Sequence, residues 1–460
     1  ALPSAVRGIW AIGLGGLAFR WWAVLFYRPT CDTGAADCYT LGGDAFYHHF
    51  QADLIADGEW FKNPAEQVLS GTLNDSAGDP PLYPLFLAAF SKLGMGSVTW
   101  HRAASTLFGL ALIVLCGLAA RRIATQVFGA EVGDRAGVIA ALVAALHPLM
   151  WINDIMLLSE GPYQPLIVLA IWAGWEWTRE PTRRRMALLG AAVAVAALAR
   201  AEAVALLGFL VLLLVVWRNP LSRQERIRQG AVGVLAGLVV LAPWLVYNNL
   251  RFDKPVTLTS ASGTVMMAGA CDTAWSGESM GIWAKCFEER ELQIEMEEEF
   301  PGSYRFPDDP ERVVYDESVI DRFNTEKALE YTFDNLDRYP LVILARIGRS
   351  LELFRVEHTL WVNYAIEGRW KIPSLLGLIG YYALIPFTLL GFEMLRRRGE
   401  RLAPFAAMWT LVLFASAVTF GLTRYRVPID VAMIIVSSFA LAWLWPHLVA
   451  GVRSALGADR

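Results

Sequence analysis

Long apolar segments constrain this chain more than any other feature. A helix needs about 20 apolar residues to cross the hydrocarbon core of a bilayer, and backbone polar groups inside lipid are satisfied only within helices or closed barrels. Apolar residues make up 55% of the 460 residues and charged residues only 18%. Candidate spans lie near residues 8–27, 99–120, 136–152, 160–178, 186–217, 230–250, 372–395, 403–421 and 428–447.

The segment 186–217 is too long for one span, and Arg200 and Glu202 lie near its middle. We interpret it as two short spans that meet at one membrane surface. Pro81–Leu93 is apolar but short, so we interpret it as a helix in the outer interface. The sequence therefore predicts an all-α polytopic membrane protein with about ten transmembrane helices.

The positions of the arginines indicate which ends of the spans face the cytoplasm, because basic residues accumulate in short cytoplasmic loops. This rule predicts that both termini are cytoplasmic. It divides the chain into an N-terminal transmembrane module, residues 1–250, a large outer loop with interfacial helices, 251–371, and C-terminal transmembrane helices, 372–460. A first outer loop covers 28–98. The arginines expected inside are Arg121, Arg122, Arg183 to Arg185, Arg218, Arg223, Arg226, Arg228, Arg396 to Arg398, Arg401 and Arg453.

Four of the five cysteines fall in the predicted outer loops. Cys31 and Cys38 form one close pair and Cys271 and Cys286 another, while Cys116 lies inside a span. Such pairs predict disulfides in an oxidising compartment, with four free thiols as the alternative. Basic residues are spread over separate loops, which argues against a nucleic-acid partner. The first apolar segment lacks a clean cleavage site, so we expect it to remain as a span.

Asp44 lies in Leu-Gly-Gly-Asp-Ala-Phe-Tyr-His-His, one short loop beyond the first span. A carboxylate there is suited to act as a general base on a substrate at the lipid surface. Asp is also a favoured helix cap, so Asp44 could instead begin the helix that follows. His48 and His49 are adjacent and point in different directions on a helix. At most one of them is expected to face a site.

Several short motifs occur in an order that resembles the C-type-fold membrane glycosyltransferases, in the branch of aminoarabinose transferase and the protein O-mannosyltransferases. The resemblance extends from about residue 8 to residue 447. The motifs are Gly43-Asp44-Ala45, Asp79-Pro80-Pro81-Leu82-Tyr83-Pro84, Leu158-Ser159-Glu160, Pro243-Trp244 with Asn248 to Arg251, and Arg424-Tyr425-Arg426-Val427-Pro428.

The resemblance implies an inverting transfer of a sugar from a polyprenyl-phosphate carrier to a glycan, glycolipid or protein acceptor. It implies a location in a bacterial cytoplasmic membrane, with an active site facing outside and in contact with membrane lipids. The sequence shows no required cofactor, and a divalent metal is possible but unsupported. Asp44 and Glu160 are the implied catalytic residues. The implied substrate-binding residues are Arg200, Arg424, Arg426, Tyr83, Asp79, His48 and Tyr425.

Structural alternatives stand beside each of these roles. Glu160 could form a structural ion pair with Arg200, although pairing of Arg200 with Glu202 is disfavoured by helical spacing. Arg424 and Arg426 could anchor a span at the interface. Asp79 departs from a basic residue in the family motif, so it could bind the acceptor, a metal or an arginine instead.

The region 316–354 predicts one or two amphipathic interfacial helices that cover the active site, whose arginines, Arg346, Arg349 and Arg355, could meet lipid phosphate. The alternative is a purely structural support for such a cover. Two other functions remain open for the whole chain. One is a glycan ligase or polymerase that uses a lipid diphosphate. The other is a lipid-linked sugar transporter, which would normally show two related halves with broken helices; we detect no such repeat in the sequence.

Overall fold

The computed structural model describes residues 3–27, 43–216, 221–303, 309 and 312–455. Within them the chain is helical, and no strand occurs apart from an isolated bridge between Lys62 and Asp75. The predicted all-α class is confirmed. The helices are α1 Ser4–Trp22, α2 Gly43–Asp57, α3 Pro64–Ser70, α4 Leu82–Lys92, α5 Val98–Phe128, α6 Ala130–Leu146, α7 Pro148–Ile155, α8 Glu160–Arg179, α9 Arg183–Ala197, α10 Ala205–Val216, α11 Arg223–Asn249, α12 Ser262–Met267, α13 Asp272–Trp275, α14 Arg290–Glu299, α15 Glu317–Asp334, α16 Tyr339–Ser350, α17 Val356–Ala365, α18 Lys371–Arg397, α19 Ala403–Val418 and α20 Val427–Ala455.

Five helical segments in the described part of the chain are long and apolar enough to cross a membrane. A sixth span is possible if α6 and α7, which are bent by 55° at their junction, act as one. The expected count of ten is not confirmed, because α8 carries charges at both ends and α9, α10 and α19 are short. The five segments are Ser4–Phe26, Val98–Phe128, Arg223–Asn249, Lys371–Arg397 and Thr423–Pro446.

The predicted break inside 186–217 is confirmed. Helix α9 ends at Ala197, and a short 3-10 turn, Ala201–Val204, leads into α10. Arg200 is extended there, with φ −145°. In this conformation its Nε lies 2.5 Å from Oε1 of Glu202. The expectation that these two residues would not pair was wrong, since it assumed helical spacing where the chain is not helical.

Glycines allow the helices of the bundle to approach closely. A Cβ at Gly137 in α6 would lie 2.8 Å from the carbonyl oxygen of Gly117 in α5. A Cβ at Gly190 in α9 would lie 1.9 Å from the carbonyl of Gly233 in α11. Small residues at such contacts are typical of helices that associate in membranes, where van der Waals packing replaces the hydrophobic effect. These contacts fix the frame on which the outer segments rest.

Arginines predicted to be cytoplasmic gather at one end of the bundle. Arg122 pairs with Glu176, and Arg183 pairs with Glu225. The guanidinium groups of Arg398 and Arg401 donate to carbonyls at the ends of α5 and α8. Helix α5, with 31 residues, extends about 46 Å from this end to the other. Arg218 lies outside the described residues, as does the side chain of Arg453.

The segment 251–371, which we call the outer segment after its predicted location, has its own small core around Trp275 and the Cys271–Cys286 disulfide. That disulfide was predicted from the sequence and is confirmed, whereas Cys31 and Cys38 lie outside the described residues. Two helices, α15 and α16, occupy the predicted amphipathic region 316–354.

Contrary to the expectation from the sequence, two arginines of that region do not face lipid. Arg346 is buried and donates to the carbonyls of Ala417 and Gly269 at 2.7 and 2.6 Å. Arg349 is also buried and donates to the carbonyl of Met280. Because their donors are used on backbone oxygens, these arginines do not meet lipid phosphate. Arg346 attaches the outer segment to the end of α19, whereas Arg349 joins two parts of the outer segment to each other.

Candidate active site

A cavity of about 1230 Å³ lies between the outer segment and the end of the bundle opposite the arginine-rich end. It is bounded by the start of α2, the break between α9 and α10, the chain before and within α12, and the end of α19. The charged residues, tyrosines and other polar residues that line it include Asp44, Tyr47, Asp79, Arg102, Ser159, Arg200, Glu202, Glu367, Arg424 and Tyr425. The structure therefore brings most of the predicted site residues to one place.

Asp44 lies in the first turn of α2, and its side chain is 40% exposed in the cavity wall. Gly43 precedes it with φ +53°, a conformation that glycine adopts readily. Nη2 of Arg424 donates to Oδ2 of Asp44 at 2.5 Å. The positive charge of Arg424 holds the pKa of Asp44 well below its usual range. Asp44 is thus ionised at neutral pH and reachable from the cavity.

Arg424 connects three carboxylates. It lies in the 3-10 turn Thr423–Arg426 that begins the last span. Its Nε contacts Oε1 of Glu160 at 2.5 Å, its Nη1 contacts Oε2 of Glu367 at 3.2 Å, and its Nη2 contacts Asp44. A planar guanidinium holds its five donors in a fixed fork, which allows it to contact three carboxylates on different sides at once. Arg424 therefore fixes the position of the Asp44 carboxylate.

Glu160 is fully buried at the start of α8, behind the cavity surface. Arg200 Nη1 lies 2.7 Å from Glu160 Oε1 and also contacts Ser159 Oγ at 3.2 Å. Glu160 thus pairs with both Arg200 and Arg424. The Glu160–Arg200 ion pair considered from the sequence is present, and Arg424 adds a second arginine to it. The guanidinium of Arg200 lies 5.6 Å from the ring centroid of Tyr425, which places Tyr425 as a packing partner of the arginine.

His48 faces Asp79 on the side of the site next to Asp44. Its Nδ1 lies 2.8 Å from the carbonyl oxygen of Leu157, and its Nε2 lies 3.4 Å from Asp79 Oδ2. Because the carbonyl can only accept, Nδ1 must carry a proton, and Nε2 carries one as well when the ring is cationic. Burial lowers the pKa of His48, but the charges of Asp79 and Asp44 outweigh it and the net shift is upward. Asp79 therefore pairs with a histidine.

The other predicted residues lie deeper. Tyr83 is buried below His48, and its hydroxyl is 2.8 Å from Ser105 Oγ. Arg426 is fully buried, with Nη1 2.8 Å from Glu352 and Nε 2.8 Å from Asp430. It is not among the cavity-lining residues. The predicted phosphate-binding role of Arg426 finds no support in this geometry, because both carboxylates already neutralise it.

Three charged residues at the site were not predicted. Glu367 contacts Arg424, and Arg369 lies close enough to Glu160 and Glu367 to interact electrostatically with both. Arg369 is 2% exposed, and its Nε and Nη2 have no hydrogen-bond partner among the described residues. Arg102 lines the cavity from α5. An ionisable residue inside an apolar span usually marks a functional site, and Arg102 could have been found by that signal.

The overall fold is that of the C-type membrane glycosyltransferases. The structure is similar to the crystal structure of the Archaeoglobus fulgidus oligosaccharyltransferase in complex with Zn and sulfate, with a TM-score of 0.51 and 14% sequence identity over 97% of this chain and 51% of that one. The chain thus spans about half the length of the oligosaccharyltransferase. At this identity the likeness concerns the fold.

Weaker similarity extends to ArnT from Cupriavidus metallidurans bound to undecaprenyl phosphate, with a TM-score of 0.40 and 14% identity over 94% of this chain and 77% of that one. No protein-family model matches the sequence, and no curated protein matches it.

Proposed function

We propose that this protein is an inverting glycosyltransferase that moves a sugar from a polyprenyl-phosphate carrier to an acceptor at the outer face of the membrane. The observation that carries the proposal is the ionised Asp44 carboxylate on the wall of a large cavity, held there by Arg424 and next to a second arginine, Arg200. The order of the sequence motifs and the fold support it.

In this mechanism the acceptor hydroxyl attacks the anomeric carbon on the face opposite the carrier phosphate. Its proton passes to Asp44 as the new carbon–oxygen bond forms. The bond between the anomeric carbon and the phosphate oxygen breaks, and the carrier leaves as a phosphate monoester. Arginines oriented before the reaction stabilise the negative charge that grows on that phosphate.

The contacts of Arg424 suggest how donor binding activates the base. A phosphate that accepts hydrogen bonds from Arg424 and Arg200 competes with Asp44 for the Nη2 donor of Arg424, which lies 2.5 Å from Asp44 in this structure. Asp44 then loses its strongest partner, and its affinity for a proton rises. Glu160, fully buried between the two arginines, keeps them in place during the exchange.

Purified protein tests this proposal when it is supplied with polyprenyl-phosphate sugars and an acceptor mixture. Asp44→Asn keeps the shape of the side chain but cannot accept a proton, so we expect transfer to fall about 100-fold to 10,000-fold while carrier binding is retained. Asp57→Asn, on the same helix and facing away from the cavity contacts, is the matched control. Turnover by Asp44→Asn equal to that of the control would remove Asp44 from the mechanism.

A second candidate function is transfer of a larger glycan from a lipid diphosphate. The size of the cavity favours it, because about 1230 Å³ exceeds the roughly 300–1,000 Å³ of common small-molecule sites. A parallel assay with polyprenyl-diphosphate oligosaccharides separates the two. If product forms with the diphosphate donor and not with the monophosphate donor, the monophosphate proposal is wrong and the diphosphate function replaces it.

A further inference from the structure

A second group of titratable side chains lies behind α2, away from the cavity. His49 and Asp53 lie one turn apart on α2, and His101 faces them from α5. Nε2 of His49 is 3.7 Å from Asp53 Oδ2, and Nε2 of His101 is 3.9 Å from Asp53 Oδ1. One ligand atom from each of the three residues lies within 4.8 Å of the other two. The mechanism proposed above uses none of them.

We propose that His49, Asp53 and His101 bind a divalent transition-metal ion of the Zn²⁺ type, which fastens the Asp44-bearing helix α2 to α5. This site is separate from the glycosyl-transfer chemistry, and the proposal does not depend on the proposed function.

The donor set indicates the kind of ion. Two imidazoles and one carboxylate suit Zn²⁺ and similar ions, whereas Mg²⁺ and Ca²⁺ prefer oxygen ligands. Metal-ligating groups are commonly held by further hydrogen bonds. Here Ser91 Oγ from α4 lies 2.7 Å from both Asp53 Oδ1 and His101 Nε2. It can orient the carboxylate or provide a fourth ligand.

Burial separates the two histidines from solvent, and their hydrogen-bond partners are each other and Ser91. His101 is fully buried and His49 nearly so, while Asp53 is 36% exposed. The carboxylate therefore forms the open side through which an ion reaches the histidines. The separations of 3.7 and 3.9 Å are close to the roughly 3.3 Å between neighbouring ligands of a tetrahedral ion with Zn–N and Zn–O distances of about 2.0–2.2 Å. The Nδ1 atoms lie between the two rings, so at least one ring must turn before both histidines bind the same ion.

The protonation of the two histidine rings predicts that they rearrange when a metal binds. Nδ1 of His49 and Nδ1 of His101 are 2.9 Å apart, so one of them carries a proton and donates a hydrogen bond to the other. When both Nε2 atoms bind a metal, each neutral ring carries its proton on Nδ1. The two Nδ1 atoms must then separate, and the metal replaces the hydrogen bond between the rings without a net change in protonation.

The position of the group indicates a structural role. Asp53 is nine residues after Asp44 on α2, which at 100° per residue places the two carboxylates on opposite faces of the helix. An ion bound behind α2 would not reach a substrate in the cavity. It would fix the helix that carries Asp44 against α4 and α5.

Metal binding to the intact, chelator-stripped protein in detergent provides the test. We expect wild-type protein to bind one Zn²⁺ per chain by elemental analysis and competition titration, and its melting temperature to rise with added Zn²⁺. Asp53→Asn should weaken binding about 100-fold, and His49→Gln should behave alike. Asp57→Asn, one turn further along α2, and His358→Ala, at a distant histidine, are the controls.

Substitution of Co²⁺ adds a direct readout, because visible absorption bands report nitrogen and oxygen ligands in a tetrahedral site. Those bands should be present in wild type and in both controls and lost in Asp53→Asn. If wild type and Asp53→Asn take up Zn²⁺ and Co²⁺ equally, or if wild type takes up neither at micromolar concentration, the proposal is wrong.

Discussion

At the scale of single residues, the site is organised by shared charges. Glu160 is fully buried, and burying an ionised carboxylate is costly unless it is paired and hydrogen-bonded. Two arginines provide that pairing, and the same arginines reach the cavity. Ion pairing of Arg200 and Arg424 therefore does not compete with a role in substrate binding, because it positions guanidinium groups that would otherwise be flexible.

Replacing Arg424 with Lys tests this organisation. A lysine keeps the charge but cannot contact Asp44, Glu160 and Glu367 together. We expect sugar transfer to fall about 100-fold because the base is misplaced, and Arg424→Ala should also lower the melting temperature, since it leaves Glu160 short of a partner. The control is Arg122→Lys in the ion pair with Glu176 at the far end of the bundle. Equal activity of Arg424→Lys and this control would contradict the positioning role.

The His48–Asp79 pair predicts a pH-dependent contribution to stability. The folded-state pKa of His48 is raised, so the pair stabilises the protein fully below the pKa of an unfolded histidine, about 6.5. The contribution is lost as pH rises through the folded-state pKa. Asp79→Asn should therefore lower the melting temperature more at pH 5.5 than at pH 9. A difference from wild type that stays constant across this range would show that His48 is neutral throughout.

At the scale of helices, features set by nearby residues could be predicted from the sequence, whereas contacts between distant residues could not. The break before α10, the short helix α4 and the pair α15 and α16 follow from charge placement and apolar spacing, which act within a few residues. Partners of buried charges could not be predicted in this way. Arg20 pairs with Asp154 at 2.7 Å, 134 residues away, and Arg369 reaches the site from the end of the outer segment. Such pairs depend on the tertiary arrangement of helices.

The Cys271–Cys286 disulfide should stabilise the outer segment measurably. It closes a loop with a sequence separation of 15, for which chain-entropy estimates give about 3 kcal/mol. We expect a reductant to lower the melting temperature of wild type to that of the Cys271→Ser/Cys286→Ser double variant. Any shift that reductant causes in the double variant itself measures the other predicted pair, Cys31 and Cys38, and is subtracted from the shift in wild type. A wild-type protein that melts identically with and without reductant would contradict this prediction.

At the scale of the whole molecule, the fold class and the convergence of motifs could be predicted, but the number of spans could not. Hydropathy gives apolar segments, whereas the lengths of α9, α10 and α19 depend on where charged residues and turns end each helix. The two ends of the bundle differ in a way that the sequence did indicate. Arginine-rich contacts gather at one end, and the cavity lies at the other.

This polarity predicts the orientation of the molecule in the membrane. Short arginine-rich segments stay cytoplasmic, so the cavity and the outer segment should face the opposite side. Single cysteines can be placed at two exposed positions, Arg397 at the end of the long helix α18 and Arg322 in α15. Both are introduced into a variant that carries Cys31→Ser and Cys38→Ser. The other cysteines can stay, because Cys271 and Cys286 are joined in a disulfide and Cys116 is buried. That variant without an added cysteine is the control.

We expect a membrane-impermeant maleimide to label Arg322→Cys in intact bacterial spheroplasts and Arg397→Cys only after the membrane is opened. The physical reason is that α18 and α20 connect these two ends through segments long enough to cross the bilayer. Labelling of Arg397→Cys in intact spheroplasts, with Arg322→Cys protected, would place the cavity in the cytoplasm. A base at Asp44 would then act on a donor from the inner leaflet, and transfer at the outer face would have to be abandoned.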